Sequence, residues 1–154
     1  MPPNDRLITP IRAKLPHDTP PWISEGAWFF ITINCTQRNI NQLCVPEVAD
    51  AIVATIAFNH ERQAWFCRFA LLMPDHLHAI IATPSSPGLT ATISRWKHYI
   101  AAHHKIKWQR DFFDHRLRND AELEEKSLYI AMNPVRRALC EKPEDWPWTF
   151  RPQN

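Results

Sequence analysis

The chain lacks the cysteine spacing that a structural zinc site needs. Its four cysteines, Cys35, Cys44, Cys67 and Cys140, are scattered, with no Cys-x-x-Cys or Cys/His pattern. Buried, reduced thiols are the expected state. No apolar run approaches the roughly 20 residues of a membrane span. The N-terminus has no signal-peptide apolar segment, so no membrane partner and a cytoplasmic location are expected. There are no repeats and no low-complexity tracts. Strong charge of one sign is also missing: the net charge of +2 is too small to argue by itself for nucleic acid. Tyrosine is scarce, with only Tyr99 and Tyr129. Glycine is scarcer than proline, 2 against 14, and six prolines (Pro2, Pro3, Pro10, Pro16, Pro20, Pro21) fall in the first 21 residues. Proline fixes φ and removes a donor, so residues 1–24 are expected to form an extended arm. Residues 25–154 are expected to form one domain, large enough for a core without staples.

Within that domain the hydrophobic period alternates between strand and helix. Residues 28–35 are aromatic and β-branched, which predicts a buried strand. Val45, Val48, Ala49, Ile52, Val53, Ile56 and Ala57 recur at helical spacing, with Pro46 suited to a first turn. Residues 65–73 and 76–83 read as two strands broken at Pro74-Asp75, expected to pair antiparallel. Pro84 to Gly88 is loop, and residues 89–104 carry Leu89, Ile93, Trp96 and Ile100 on one helical stripe. Residues 112–117 suggest a short strand. A helix is expected from Asn119 or Asp120, with Glu122 near its third position, running through Leu123 and Tyr129 towards Asn133-Pro134. Residues 141–154 are expected to pack as an irregular tail. The order predicts an α+β fold: a ferredoxin-like βαββαβ antiparallel sheet with helices on one face and a further C-terminal helix.

His76-Leu77-His78 is the feature richest in chemistry. Residues two apart on a strand share a face, with Cα atoms roughly 6.5 Å apart, so both imidazoles leave one side of the sheet while Leu77 faces the other. Two converging nitrogens can hold a divalent metal. Chance alone gives about 0.4 such pairs for 8 histidines in this length, so two ordinary strand histidines are the competing reading. Tyr129 and Asn133 are four apart on the predicted last helix and share a face there. Tyrosine can be a nucleophile, and an asparagine carbonyl suits a hard metal, which would make an N,N,O site with open positions. Equally, Tyr129 can be a half-buried core residue, and Asn133 the N-cap of a following short helix. Tyr99 is the alternative nucleophile.

Three segments then carry a family likeness. They are Met73-Pro74-Asp75-His76-Leu77-His78-Ala79-Ile80, the run from Trp108 to Arg118 that includes Asp111-Phe112-Phe113-Asp114-His115-Arg116-Leu117, and Tyr129-Ile130-Ala131-Met132-Asn133-Pro134-Val135-Arg136-Arg137-Ala138-Leu139. In this order they resemble the REP-associated tyrosine transposases of the single-tyrosine HUH superfamily, from about residue 28 to 150. The resemblance implies a DNA endonuclease and strand transferase. His76 and His78, with Asn133, would be ligands of Mg²⁺ or Mn²⁺, and Tyr129 would attack a scissile phosphate to give a 5′-phosphotyrosine. Its target would be a REP-type palindromic hairpin with a single-stranded flank, bound by a monomer or homodimer. His115, in the second segment, would be a helper of Tyr129 or a structural histidine. Ala138 departs from the family, which often has glycine there, and this affects only the local turn.

Residues 94–110 hold Arg95, Lys97, Lys105, Lys107 and Arg110, three histidines and no acid, with Trp96, Tyr99 and Trp108 between them. Cations neutralise phosphates and aromatic faces stack on unpaired bases, so this stripe is a candidate DNA surface that Arg116, Arg118, Arg136 and Arg137 extend. Trp96 lies on the apolar stripe and is expected in the core. A solvated helix face is the plain alternative. Two other functions compete with the transferase: a non-catalytic binding module for single-stranded or hairpin nucleic acid, and a metal phosphodiesterase that hydrolyses directly with Tyr129 structural.

Overall fold

In a computed structural model, residues 21–24 and 27–153 are described. Of the proline-rich arm expected over residues 1–24, only Pro21–Ser24 fall among them, as a 3-10 turn whose Ile23 is buried in the core. The rest of that expected arm lies outside the described residues.

The helix and strand signals produce the expected elements. Strand β1 (Trp28–Asn34) precedes helix α1 (Pro46–Glu61), which has proline in its first turn and buries Ala49, Ile52 and Ile56. Strands β2 (Phe66–Met73) and β3 (His76–Ala82) form a hairpin across Pro74 and Asp75, with Met73 opposite His76. Every residue of both strands is buried, because the sheet is covered on both faces there. Helix α2 (Leu89–His104) starts after Gly88, whose φ of +89° is a backbone state open to glycine at little cost. Strand β4 (Phe113–Leu117) leads to helix α3 (Asp120–Arg136). There Asn119 Oδ1 accepts the Glu122 N–H at 2.9 Å, while Glu122 Oε1 accepts the Arg118 N–H at 2.7 Å. These bonds satisfy donors that a helix start leaves open.

The strands form one antiparallel sheet of order β4-β1-β3-β2, extended at the β2 edge by β5 (Thr149–Phe150). Because β3 lies between β1 and β2, the first βαβ unit is split. Ile31, Ile33, Leu77, Ala79 and Ile81 meet Ile56 of α1 and Ile93 and Trp96 of α2 on one face. On the other face, Phe30 and His78 meet Tyr129 of α3. The α+β class and the separate position of the last helix are therefore as expected. No described helix is long and apolar enough to cross a membrane.

Two expectations are corrected. The tail is not wholly irregular: Thr149 and Phe150 pair with Leu71 and Ala70, and Trp146 Nε1 donates to the Leu72 carbonyl at 2.8 Å. This covers part of an open sheet edge. Asn133 does not cap a new helix, because α3 continues through Pro134 to Arg136. The helix then closes in a Schellman turn, with Ala138 N–H on the Val135 carbonyl, Leu139 N–H on the Pro134 carbonyl, and Ala138 itself at φ +60°.

Candidate active site

The site begins with the pleat of β3. His76 and His78 leave the face that looks at α3, and Leu77 packs on the opposite side. Each ring is anchored through Nδ1. His76 Nδ1 lies 2.7 Å from Asp75 Oδ1, and His78 Nδ1 lies 2.9 Å from Thr32 Oγ1, its partner in register on β1. A carboxylate accepts, so His76 carries its proton on Nδ1 and turns its Nε2 lone pair towards α3. The Thr32 bond allows His78 the same tautomer. Anchoring one ring nitrogen in this way is how proteins aim the other at a metal. The two ring centroids are 4.7 Å apart, and Phe30 stacks on His78 at 5.4 Å.

Asp75 is held in turn by the loop after β1. It accepts the Asn39 N–H at 2.7 Å and pairs with Arg38 Nε at 3.3 Å, while its own carbonyl accepts the Cys35 N–H. Burial would raise its carboxyl, but Asn39, His76 and Arg38 hold it below the ordinary range. Burial pushes His78 down to about 3, helped by the charges of His76, Arg136, Arg137 and Arg38. His76 is also lowered by burial, more than Asp75 raises it. Both rings are thus neutral near pH 7, the state a ligand must have.

Helix α3 supplies the other wall. Asn133 is buried, with Nδ2 at 3.4 Å from His76 Nε2. One turn earlier, Tyr129 is 45% exposed, its ring 5.7 Å from His78 and 6.0 Å from Phe30. The Arg136 guanidinium lies 4.6 Å from the Tyr129 ring centre and donates to the Tyr129 carbonyl. Together with Asn34, Arg38, Phe113, Lys126 and Arg137, these residues line an open cleft of about 680 Å³ with no carboxylate on its walls among the described residues. The described residues contain no group of three His, Cys, Asp or Glu able to hold a metal. A cation here would rest on two Nε2 atoms and the Asn133 amide, turned so that its oxygen faces inward. That donor set fits a divalent ion with open positions.

The other residues singled out in the sequence are dispersed. Tyr99 is on α2, across the sheet from the histidines, stacked on His103 at 4.0 Å, and is not brought to the pair. Arg95 is exposed and lines a separate cleft with Tyr99 and Phe58. Lys97 is corrected: it is buried, its ammonium donating to the Gln109 and Arg110 carbonyls at 2.8 and 3.0 Å, so it offers no surface charge to a phosphate. Lys105, Lys107, Arg110, Arg116 and Arg118 are exposed, as are Arg136 and Arg137 in the cleft. Trp96 is in the core, its Nε1 on Thr55 Oγ1. His115 bonds Glu122 at 3.1 Å, and Glu122 is roughly 10 Å along the helix axis from Tyr129. Cys35 and Cys44 are pushed up to about 11 and about 12, first by burial, and Cys67 also rises by burial, which leaves unreactive thiols. Asp75, Thr32, Arg38 and Lys126 were not anticipated in the site. Asp75 had a signal, as a carboxylate beside a candidate ligand.

No family model matches the chain. It is 29% identical over 137 residues to the REP-associated tyrosine transposase of Escherichia coli (strain K12), covering 83% of this chain and 78% of that one. It also shares a fold, at TM-score 0.67 and 22% identity, with a REP-associated tyrosine transposase solved bound to a REP hairpin, over 80% of this chain and 76% of that one. Similarity in sequence along most of the chain, and in fold, bears out the likeness carried by the three segments: the chain resembles the REP-associated tyrosine transposases.

Proposed function

We propose that the chain cuts and rejoins single-stranded DNA beside REP-type hairpins, with Tyr129 as nucleophile and Mg²⁺ or Mn²⁺ held by His76, His78 and Asn133. The observation that carries this reading is the anchoring of both imidazoles through Nδ1, which leaves their Nε2 sides to a cleft that Tyr129 and Asn133 share. Imidazole suits Mn²⁺ better, while abundance favours Mg²⁺. When bound, the cation polarises the scissile phosphate and offsets its developing charge.

The phenol oxygen of Tyr129 attacks phosphorus, and its proton passes to water. The bond from phosphorus to the 3′ oxygen breaks, and that oxygen takes up a proton from water. The products are a 5′-phosphotyrosine and a free 3′-OH. Because the phosphodiester is exchanged for a phosphotyrosine ester, a second 3′-OH can displace Tyr129 and reseal a strand without ATP. Tyr129 meets His78 of its own chain, which supports a site built by one copy, whether the protein acts as a monomer or a homodimer. Arg136 and Arg137 would grip the strand in the cleft, and Arg95, Lys105, Lys107, Arg110, Arg116 and Arg118 would hold phosphates further out. Work on host DNA would place the protein in the cytoplasm.

The test is incubation with a labelled REP-type hairpin carrying a single-stranded flank, with Mn²⁺ and with EDTA. The expected result is a covalent protein–DNA adduct, lost with EDTA and in Tyr129→Phe while hairpin affinity is kept. Hairpin binding with no cleavage by the unaltered chain would mark a binding module. Cleavage that survives Tyr129→Phe would mark direct hydrolysis.

A further inference from the structure

We infer that Lys126 is part of this machinery: its ammonium takes the non-bridging oxygen of the scissile phosphate that faces away from the histidines. The inference rests on the phosphotyrosine reading above. Lys126, Tyr129 and Asn133 follow one another on α3 at spacings of three and four, so they form a row along one face. Tyr129 stands in the middle of it. Asn133, about 6 Å further along the axis, is on the side of the imidazoles, and Lys126 is about 4.5 Å away on the other side. A phosphorus atom attacked by Tyr129 has two non-bridging oxygens. If one is directed to the His76, His78 and Asn133 side, the other is directed towards Lys126.

The Lys126 side chain is arranged for that task. Its Nζ is 5.4 Å from the Phe30 ring centre and 5.9 Å from that of Tyr129, so two aromatic faces keep the ammonium over the cleft. Among the described residues it has no carboxylate partner. The other cations of the cleft are engaged elsewhere or lie on another flank. Arg38 is committed to Asp75 and to the Asn34 side chain, and Arg136 to the ring and carbonyl of Tyr129. Arg137 lines the cleft on the Asn133 side. Lys126 is thus the cation on the far flank of Tyr129 with its donors open to an incoming oxygen. A lysine is a compact charge with three donors and needs no planar partner.

The experiment is single-turnover cleavage at saturating hairpin DNA with Mn²⁺, comparing the unaltered chain with Lys126→Met, Lys126→Arg and Tyr129→Phe. Lys126→Met should slow cleavage on the order of a hundredfold, the usual effect of removing one charge-stabilising donor, with hairpin affinity changed little. Lys126→Arg should recover most of the rate. Each diastereomer of a methylphosphonate at the scissile position then removes one oxygen. The Lys126→Met penalty should vanish on one diastereomer and persist on the other. An unaltered rate in Lys126→Met overturns the inference, and so does an equal penalty on both diastereomers. If Tyr129→Phe abolishes the adduct while Lys126→Met cleaves normally, only this inference falls. If Tyr129→Phe still forms the adduct, the phosphotyrosine reading falls with it.

Discussion

Replacing Asp75 by asparagine changes one atom and should damage both the fold and the proposed metal site. Asp75 is 3% exposed and accepts hydrogen bonds from the Asn39 N–H at 2.7 Å and from His76 Nδ1 at 2.7 Å. Asparagine has one oxygen for these two donors and sets its own NH₂ against the other. Hydrogen bonds to a charged group are worth about 1.5–3 kcal/mol, and a buried donor left without a partner costs about 1–3, so the loss should be about 2–4 kcal/mol. The Arg38 pair adds little, because that side chain is 38% exposed and an exposed pair is worth about 0–1 kcal/mol. Urea unfolding at pH 7 reads this directly. The pH dependence has a definite sign. The carboxyl is held below its ordinary value, so its stabilisation is complete above the unfolded value and disappears as pH falls below about 4. Asp75→Asn should lack that acid-linked loss, so the two unfolding curves should converge in acid. With His76 no longer fixed in one tautomer, Mn²⁺ affinity by calorimetry should drop about 10–100-fold. A variant with unchanged stability and unchanged Mn²⁺ affinity would refute the role given to Asp75.

Other consequences follow from single contacts. Lys97→Met should cost about 1–3 kcal/mol in thermal or urea unfolding, since it strands the carbonyls of Gln109 and Arg110, yet leave the salt dependence of DNA binding unchanged. Arg137→Ala should instead flatten the slope of log affinity against log salt by about one, the mark of a lost phosphate contact. Ala138→Gly should stabilise the chain by about 0.5 kcal/mol, since relief of a left-handed alanine outweighs the added freedom of the unfolded glycine; a lower unfolding midpoint would contradict this.

What could be read in advance was what depends on neighbours along the chain. The helical stripe of residues 89–104 matches α2 end to end, and the Asn119–Glu122 signal marks the start of α3. The two-residue period placed both imidazoles on one face, and the four-residue spacing put Tyr129 and Asn133 together. Lys97 was also legible, though misread. Ile93, Trp96, Lys97 and Ile100 are spaced as one apolar face, so a lysine there had to bury its stem and find acceptors. Ala138 shows the converse. A left-handed turn was needed to end α3, and the hydrogen bonds of the Schellman closure impose it on a residue that does not favour it.

What could not be read is what depends on register. Thr32 and His78 are 46 residues apart and meet only because β1 and β3 pair with Thr32 opposite His78. A slip of one residue would turn Thr32 to the other face and leave His78 with nothing to fix its tautomer. At their paired ends both strands alternate, Ile31-Thr32-Ile33-Asn34 against His76-Leu77-His78-Ala79, which fixes the face each residue takes but not its partner, since a slip of two residues keeps every face. β5 was missed for a similar reason, since two residues between prolines have no period of their own and pair only where β2 offers an open edge. The imidazoles are therefore a property of one strand, but their aim is a property of the whole sheet. A change at Phe30, Thr32 or Asp75 should therefore act on the chemistry without touching a ligand.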